Sequence, residues 1–227
     1  MKPYVVAIDG PAGAGKSTLA KRLAKELNIA YIDTGAMYRT CALYAIESGI
    51  DPKADSPKLR SLLETAEIDF RSVNGEQKIF LNNQDVSKKI REPIISTGAS
   101  DISAIPFVRD KLVQMQRNLA KGKSVLMDGR DIGTNVFPDA QVKIFLTADV
   151  AERANRRFLE LQAKGDTSTH EQVLAEMIAR DEQDKNRAYA PLRQAEDAHL
   201  LDTTKMDLEE SFHALLQYTK QQLQNLI

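Results

Sequence analysis

The stretch Gly10-Pro11-Ala12-Gly13-Ala14-Gly15-Lys16-Ser17-Thr18 constrains this chain more than any other. The apolar run Val5-Val6-Ala7-Ile8 precedes it and reads as a strand buried on both faces. Leu19, Leu23 and Leu27 follow at fourfold spacing with Ala20 and Ala24 beside them, one apolar face of a helix. Glycines in such a loop let successive backbone N–H groups turn inward on a phosphate, and the helix N-terminus adds positive potential. Lys16 can then span terminal phosphates, and Ser17 can ligate Mg²⁺. Motif and context together make residues 10–18 a P-loop.

The strand and helix alternation continues. A short strand is expected at Ala30 to Asp33, then a helix from about Ala36 to Ser48 closed by Gly49. Val108, Leu112, Met115 and Leu119 mark a helix ending before Gly122, and strands are expected at Ser124 to Asp128, Val142 to Leu146 and His199 to Asp202. This pattern predicts an α/β protein built on a parallel sheet. Residues from about 56 to 97 break the rhythm. Ser56-Pro57 starts a short helix, and Ile68 to Val73 and Gln77 to Leu81 flank Asn74-Gly75, a hairpin turn signal. That antiparallel segment reads as an insertion in a single domain spanning 1–227.

A chain of 227 residues with 42% hydrophobic and 28% charged residues can bury a core of its own. With 31 basic against 32 acidic side chains it carries no overall field for nucleic acid or anionic lipid, so neither is an expected partner. The single Cys41 sits among Leu43, Tyr44 and Ile46 and is expected as a small buried hydrophobe in a reducing compartment. No stretch resembles a signal peptide or approaches the length of a membrane span, which places the expected location in the cytoplasm. His170, His199 and His213 lack metal-ligand spacing, and no zinc is expected.

Six of the fourteen arginines, Arg153, Arg156, Arg157, Arg180, Arg187 and Arg193, fall within 41 residues, more than twice an even spread. Arg153 and Arg157 can share one face of a helix beginning near Asp149. Glu152 and Glu160 offer them ordinary surface ion pairs, yet beside a P-loop the guanidinium forks point to clamping of a phosphoryl group in transfer. Asp128 ends an apolar strand, either as a carboxylate holding Mg²⁺ or as a cap on the next turn, and Asp33 is equally open. Arg130 and Asp131 lie just past that strand, where α/β sheets place ligands. No Asn-Lys-x-Asp motif for guanine occurs.

In their joint order several segments resemble the bacterial cytidylate kinase family along essentially the whole length. They are Ile8-Asp9-Gly10-Pro11 into the loop, Asp33-Thr34-Gly35-Ala36-Met37-Tyr38-Arg39, Asp128-Gly129-Arg130-Asp131-Ile132-Gly133-Thr134, Val136-Phe137-Pro138-Asp139-Ala140, Lys143-Ile144-Phe145-Leu146, and Arg180-Asp181 before Asp184-Lys185-Asn186-Arg187-Ala188. The resemblance implies a P-loop nucleoside monophosphate kinase fold. Its parts would be a five-stranded parallel sheet flanked by helices, a nucleotide-binding insertion at about 56–97, and a short lid at about 151–168. It implies transfer of the γ-phosphoryl of ATP, bound with Mg²⁺, to CMP or dCMP by an enzyme expected to be a monomer.

By that resemblance, Gly10 to Thr18 hold ATP, and Lys16, Arg130, Arg153, Arg157, Arg180 and Arg187 serve the transfer. Thr34, Arg39, Ser100, Arg109, Arg130, Asp131, Arg180, Asp184 and Arg187 face CMP, with Ser17 and Asp128 at the magnesium. Ser100, Arg109 and Asp131 are the implied readers of the cytosine edge. Spacing alone leaves plainer roles open: a surface salt bridge for Arg109, a cap or turn for Ser100, and a helix cap for Thr34.

Overall fold

The computed structural model describes residues 2–74, 76–163 and 165–224. In chain order the elements are β1 (Val5–Asp9), α1 (Lys16–Glu26), β2 (Ala30–Asp33), α2 (Thr34–Glu47), α3 (Pro57–Glu64), β3 (Ile68–Val73), β4 (Glu76–Leu81) and β5 (Gln84–Asp85). They continue with α4 (Pro93–Ile102), α5 (Pro106–Ala120), β6 (Val125–Gly129), β7 (Val142–Thr147), α6 (Val150–Gln162), α7 (His170–Asn186), β8 (His199–Asp202) and α8 (Leu208–Gln224). Among the described residues no helix is long and apolar enough to cross a membrane.

The chain divides into two units, residues 1–32 with 120–227, and residues 33–119. The first carries the parallel sheet, in the order β2-β6-β1-β7-β8. β1 lies between β6 and β7 and pairs in parallel with both, which is why Val6, Ala7 and Ile8 are fully apolar and have no exposed surface. Leu19, Leu23, Ala20 and Ala24 of α1 join Leu126, Ile144, Leu146 and Leu215 in one core. α8 packs beside α1, where Arg22 grips Glu209 through two hydrogen bonds of 2.6 and 2.9 Å. His199 of the edge strand stacks on Tyr218 at 4.1 Å.

The second unit has a separate core. Met37, Leu59, Leu63, Ile90, Ile95, Ile102, Val108 and Leu112 are all buried in it, together with Cys41. Burial pushes the Cys41 thiol up to about 12, as expected of an inert hydrophobe. Close approach of α2 and α4 requires Gly98, whose missing Cβ would meet Ile46 and Ala42 at 3.2 and 3.3 Å. Ser56 caps α3 by accepting from the Leu59 amide, with Pro57 in the first turn. β3 and β4 form the expected hairpin, pairing Ile68 with Leu81 and Val73 with Glu76. Asn74 takes φ +54°, as a primed turn demands, and Gly75 lies outside the described residues. A second turn at Asn82 and Asn83, φ +47° and +67°, adds β5, a two-residue strand too short for hydrophobic alternation to announce.

The expected insertion at about 56–97 lies inside this unit, and the expected lid at about 151–168 takes in most of α6. Sequence periodicity places most elements within two or three residues. It does not single out α4, α7 or α8.

Gly10 follows β1 with φ +149°, and a Cβ there would stand 1.9 Å from the Leu146 carbonyl oxygen of β7. A backbone oxygen inside a sheet cannot step aside. Gly122, at φ +74°, has open space instead. Gly122→Ala should therefore cost about 1–2 kcal/mol of backbone strain, whereas Gly10→Ala should cost more than about 4 kcal/mol or prevent folding. Urea unfolding midpoints of the two variants check this ordering.

Candidate active site

The loop after β1 is shaped by Gly13 and Gly15, at φ +72° and +84°, and α1 begins at Lys16. Lys16 is buried and donates to the Pro11 carbonyl at 2.6 Å, folding the ammonium over its own loop. Burial and the nearby Arg130 guanidinium hold its pKa well below the usual lysine range, against the pull of Asp128, Asp184 and Asp9.

Asp128, at the end of β6, is 4% exposed, which excludes a solvated cap. It accepts from the Ser17 hydroxyl at 2.7 Å through one oxygen and from the Tyr31 hydroxyl at 2.8 Å through the other. A hydroxyl and a carboxylate beside the phosphate loop form a hard oxygen donor set suited to Mg²⁺, an ion that takes its remaining ligands from phosphates and water. The residues present therefore fit the cation that the family implies. Tyr31 was not foreseen, although a phenol in a buried strand always needs a partner for its hydroxyl.

Beyond β6 lies a cluster of opposite charges. Arg130 donates through Nε to Asp184 at 2.9 Å and through Nη1 to the Gly129 carbonyl at 3.3 Å. Arg187 lies 3.6 Å from Asp131 and 3.8 Å from Asp184, and its Nε donates to the Ala190 carbonyl. Burial would raise the Asp184 pKa, but Arg130, Arg180 and Arg187 together hold it below the ordinary carboxylate range. Asp131 accepts from the Asn135 side chain at 3.0 Å. Arg130, Asp131, Arg180, Asp184 and Arg187 thus converge on one network, although 50 residues of chain separate Arg130 from Arg180.

Arg153 and Arg157 do not share an exposed face. Arg153 is 4% exposed and fully engaged: Nε donates to the Ala148 carbonyl at 2.8 Å, Nη1 to the Ala12 carbonyl at 2.9 Å and Nη2 to Asp181 at 2.7 Å. It ties α6 and α7 to the phosphate loop. Arg157 stays partly exposed and pairs with Glu160 at 3.0 Å, and Arg156 pairs with Glu152, the surface ion pairs that the spacing allowed. Asp181, the partner of Arg153, was missed, though it stands directly after Arg180.

On the second unit, Asp33 rather than Thr34 caps α2, accepting from the Ala36 amide at 2.8 Å. Its carboxylate also takes Arg39 at 3.0 Å and Arg91 at 3.1 Å. Burial opposes its ionisation, but the two guanidinium groups win and hold its pKa low. Arg109 is 1% exposed, so it is no surface salt bridge. It donates to the Ser103 carbonyl at 3.2 Å and lies 5.5 Å from the centre of the Tyr38 ring. Ser100 lies within α4, and its carbonyl accepts from the Ser103 hydroxyl.

The profile of the cytidylate kinase family matches residues 6–221. The chain belongs to that family. It is similar to the cytidylate kinase of Caldicellulosiruptor bescii, 50% identical over 96% of each chain, and to that of Lactobacillus johnsonii, 48% identical over 90% of this chain and 89% of the relative. Among solved structures, a gluconokinase from Sinorhizobium meliloti shares the fold at a TM-score of 0.51 and 11% identity, covering 99% of this chain and 96% of that one. An uncharacterized protein from Eubacterium ventriosum does so at 0.53 and 15%, covering 97% and 99%. The family's enzymes are kinases, and the P-loop, the Ser17–Asp128 pair and the arginine cluster are the features of this chain suited to phosphoryl transfer.

The Asp184 carboxylate, depressed in the folded state, contributes stability at pH values above the ordinary carboxylate pKa that is lost as pH falls through its folded value. Arg130→Met removes its closest partner, so the folded pKa of Asp184 rises. Acid unfolding of the variant, followed by circular dichroism, should begin at higher pH than in the parent, and stability at neutral pH should fall by about 3 kcal/mol.

Proposed function

We propose that this protein transfers the γ-phosphoryl group of MgATP to CMP or dCMP, giving ADP and CDP or dCDP. The observation that carries the reading is family membership across residues 6–221 together with a P-loop whose lysine, hydroxyl and carboxylate occupy consistent places. In this reading Gly10 to Thr18 hold ATP, and Ser17 and Asp128 hold Mg²⁺, which when bound neutralises phosphate oxygens. Arg130, Arg180 and Arg187 meet the phosphates of the reacting pair, and Arg157, which would exchange its surface partner Glu160 for the transferring group, is the lid arginine. Arg153, bonded to the loop at the Ala12 carbonyl, serves the same step.

For the acceptor, this reading assigns Thr34, Arg39, Ser100, Arg109, Arg130, Asp131, Arg180, Asp184 and Arg187. Cytosine offers an amino donor at C4 beside acceptors at N3 and O2, so a carboxylate such as Asp131 and a guanidinium such as Arg109 are complementary to it. Uracil reverses two of those positions, and each mismatched buried partner costs about 1–3 kcal/mol. The acceptor is a phosphate oxygen already ionised at neutral pH, so no general base is needed. What remains for the protein is to offset repulsion between two anions, align them and exclude water. The reading carries with it a monomeric enzyme located in the cytoplasm.

ADP release should depend on CMP and be far weaker with UMP, dTMP, AMP or GMP, which a coupled assay across the monophosphates measures. Asp131→Ala should lower kcat/KM for CMP by about tenfold or more while changing UMP little. An unchanged CMP to UMP ratio removes Asp131 from base recognition. Lys16→Ala should lower turnover by at least about 100-fold with thermal unfolding close to that of the parent, since its side chain is bonded to its own loop rather than packed in the core.

A further inference from the structure

Asp9 enters none of the roles above, yet it is one of the most enclosed charged groups in the molecule. It ends β1, immediately before Gly10 of the phosphate loop, and is 5% exposed. One carboxylate oxygen accepts from the Ile132 amide and the other from the Gly133 amide, each at 2.7 Å. These N–H groups open the turn at Ile132–Val136, whose own bonds run from Asn135 and Val136 back to the Asp131 carbonyl. The turn cannot satisfy its first two amides itself, and Asp9 does so from 123 residues away. Asp9 is also the register partner of Gly129 in β6.

Arg130 and Asp131 are therefore the two residues caught between Gly129, paired with Asp9 through the sheet, and Ile132 and Gly133, held by the Asp9 carboxylate. Both ends of the dipeptide are fixed by one residue. The space is full as well: a Cβ on Gly133 would stand 3.4 Å from Asp9 Oδ2 and 3.2 Å from the Lys143 stem. Burial raises the Asp9 carboxyl to about 7, opposed by the two amides and by Lys16, so the arrangement is costly to keep unless the amides need it.

We propose that Asp9 is a positioning residue that, without touching either nucleotide, sets the direction in which Arg130 and Asp131 face the acceptor and locks that direction to the phosphate loop. The proposal rests on the reading that Arg130 and Asp131 contact the acceptor. Asp9→Asn keeps the volume but turns one acceptor oxygen into a donor facing an N–H. Gly133→Ala disturbs the same contact from the other side. The dipeptide is expected to loosen in both variants while the phosphate loop, fixed by its glycines and by Arg153, stays in place.

Amide hydrogen exchange at Ile132 and Gly133, steady-state kinetics with CMP and UMP, and ATP binding in the absence of acceptor test this together. In Asp9→Asn both amides should exchange at least about tenfold faster, KM for CMP should rise about tenfold, the loss that one hydrogen bond to a charged acceptor represents, and the CMP to UMP ratio should fall. The dissociation constant for ATP should stay within about twofold of the parent. Gly133→Ala should move the same quantities in the same direction by less. Unchanged amide exchange, or equal weakening of ATP and CMP as a merely structural defect would give, overturns the proposal. If Asp131→Ala erodes CMP preference but Asp9→Asn does not, Asp9 alone is excluded. If Asp131→Ala itself leaves that preference intact, the acceptor reading falls and the proposal with it.

Discussion

The burial of positive charge beside the phosphate loop is the constraint on which the first unit depends. Lys16 and Arg153 are both almost wholly out of water, and a cation in that position is tolerated only when carbonyls and carboxylates surround it. Lys16 turns to the Pro11 carbonyl, with Asp9, Asp128 and Asp184 acting on it from farther off. Arg153 divides its guanidinium among two carbonyls and Asp181. These carbonyls and carboxylates fix both side chains against the loop.

The same economy explains why so many aspartates are buried. Asp33, Asp128, Asp131, Asp181 and Asp184 each face a guanidinium, a hydroxyl or a side-chain amide, and Asp9 faces two backbone amides. Each of these carboxylates is fixed by its partners. It holds a cation or a turn in one orientation, which matters most where the reaction consists of positioning two anions rather than of covalent steps.

Much of the fold was legible because its signals are local. The buried run ending at Ile8, the glycines of the loop, the Ser56-Pro57 helix start and the asparagine at the hairpin turn each act within a few residues, and the structure places strand, helix and hairpin where they fall. The candidate site was legible only as a set of residues. Arg109 on sequence spacing is as well suited to a surface ion pair as to a pocket, and burial at 1% decides against the surface. Arg153 and Arg157 look equivalent four residues apart, yet one turns down to Ala12, 141 residues earlier, and the other stays at the surface with Glu160.

The sequence by itself determined that a phosphate loop follows a central strand, that its lysine and hydroxyl stand together at a helix start, and that arginines gather late in the chain, because spacing along a strand or helix fixes these relations. Only the tertiary structure decided which aspartate balances which arginine and that Asp9 caps a turn across the sheet. Those pairings depend on which strands lie side by side, and β1 pairs with β6 and β7 across more than a hundred intervening residues.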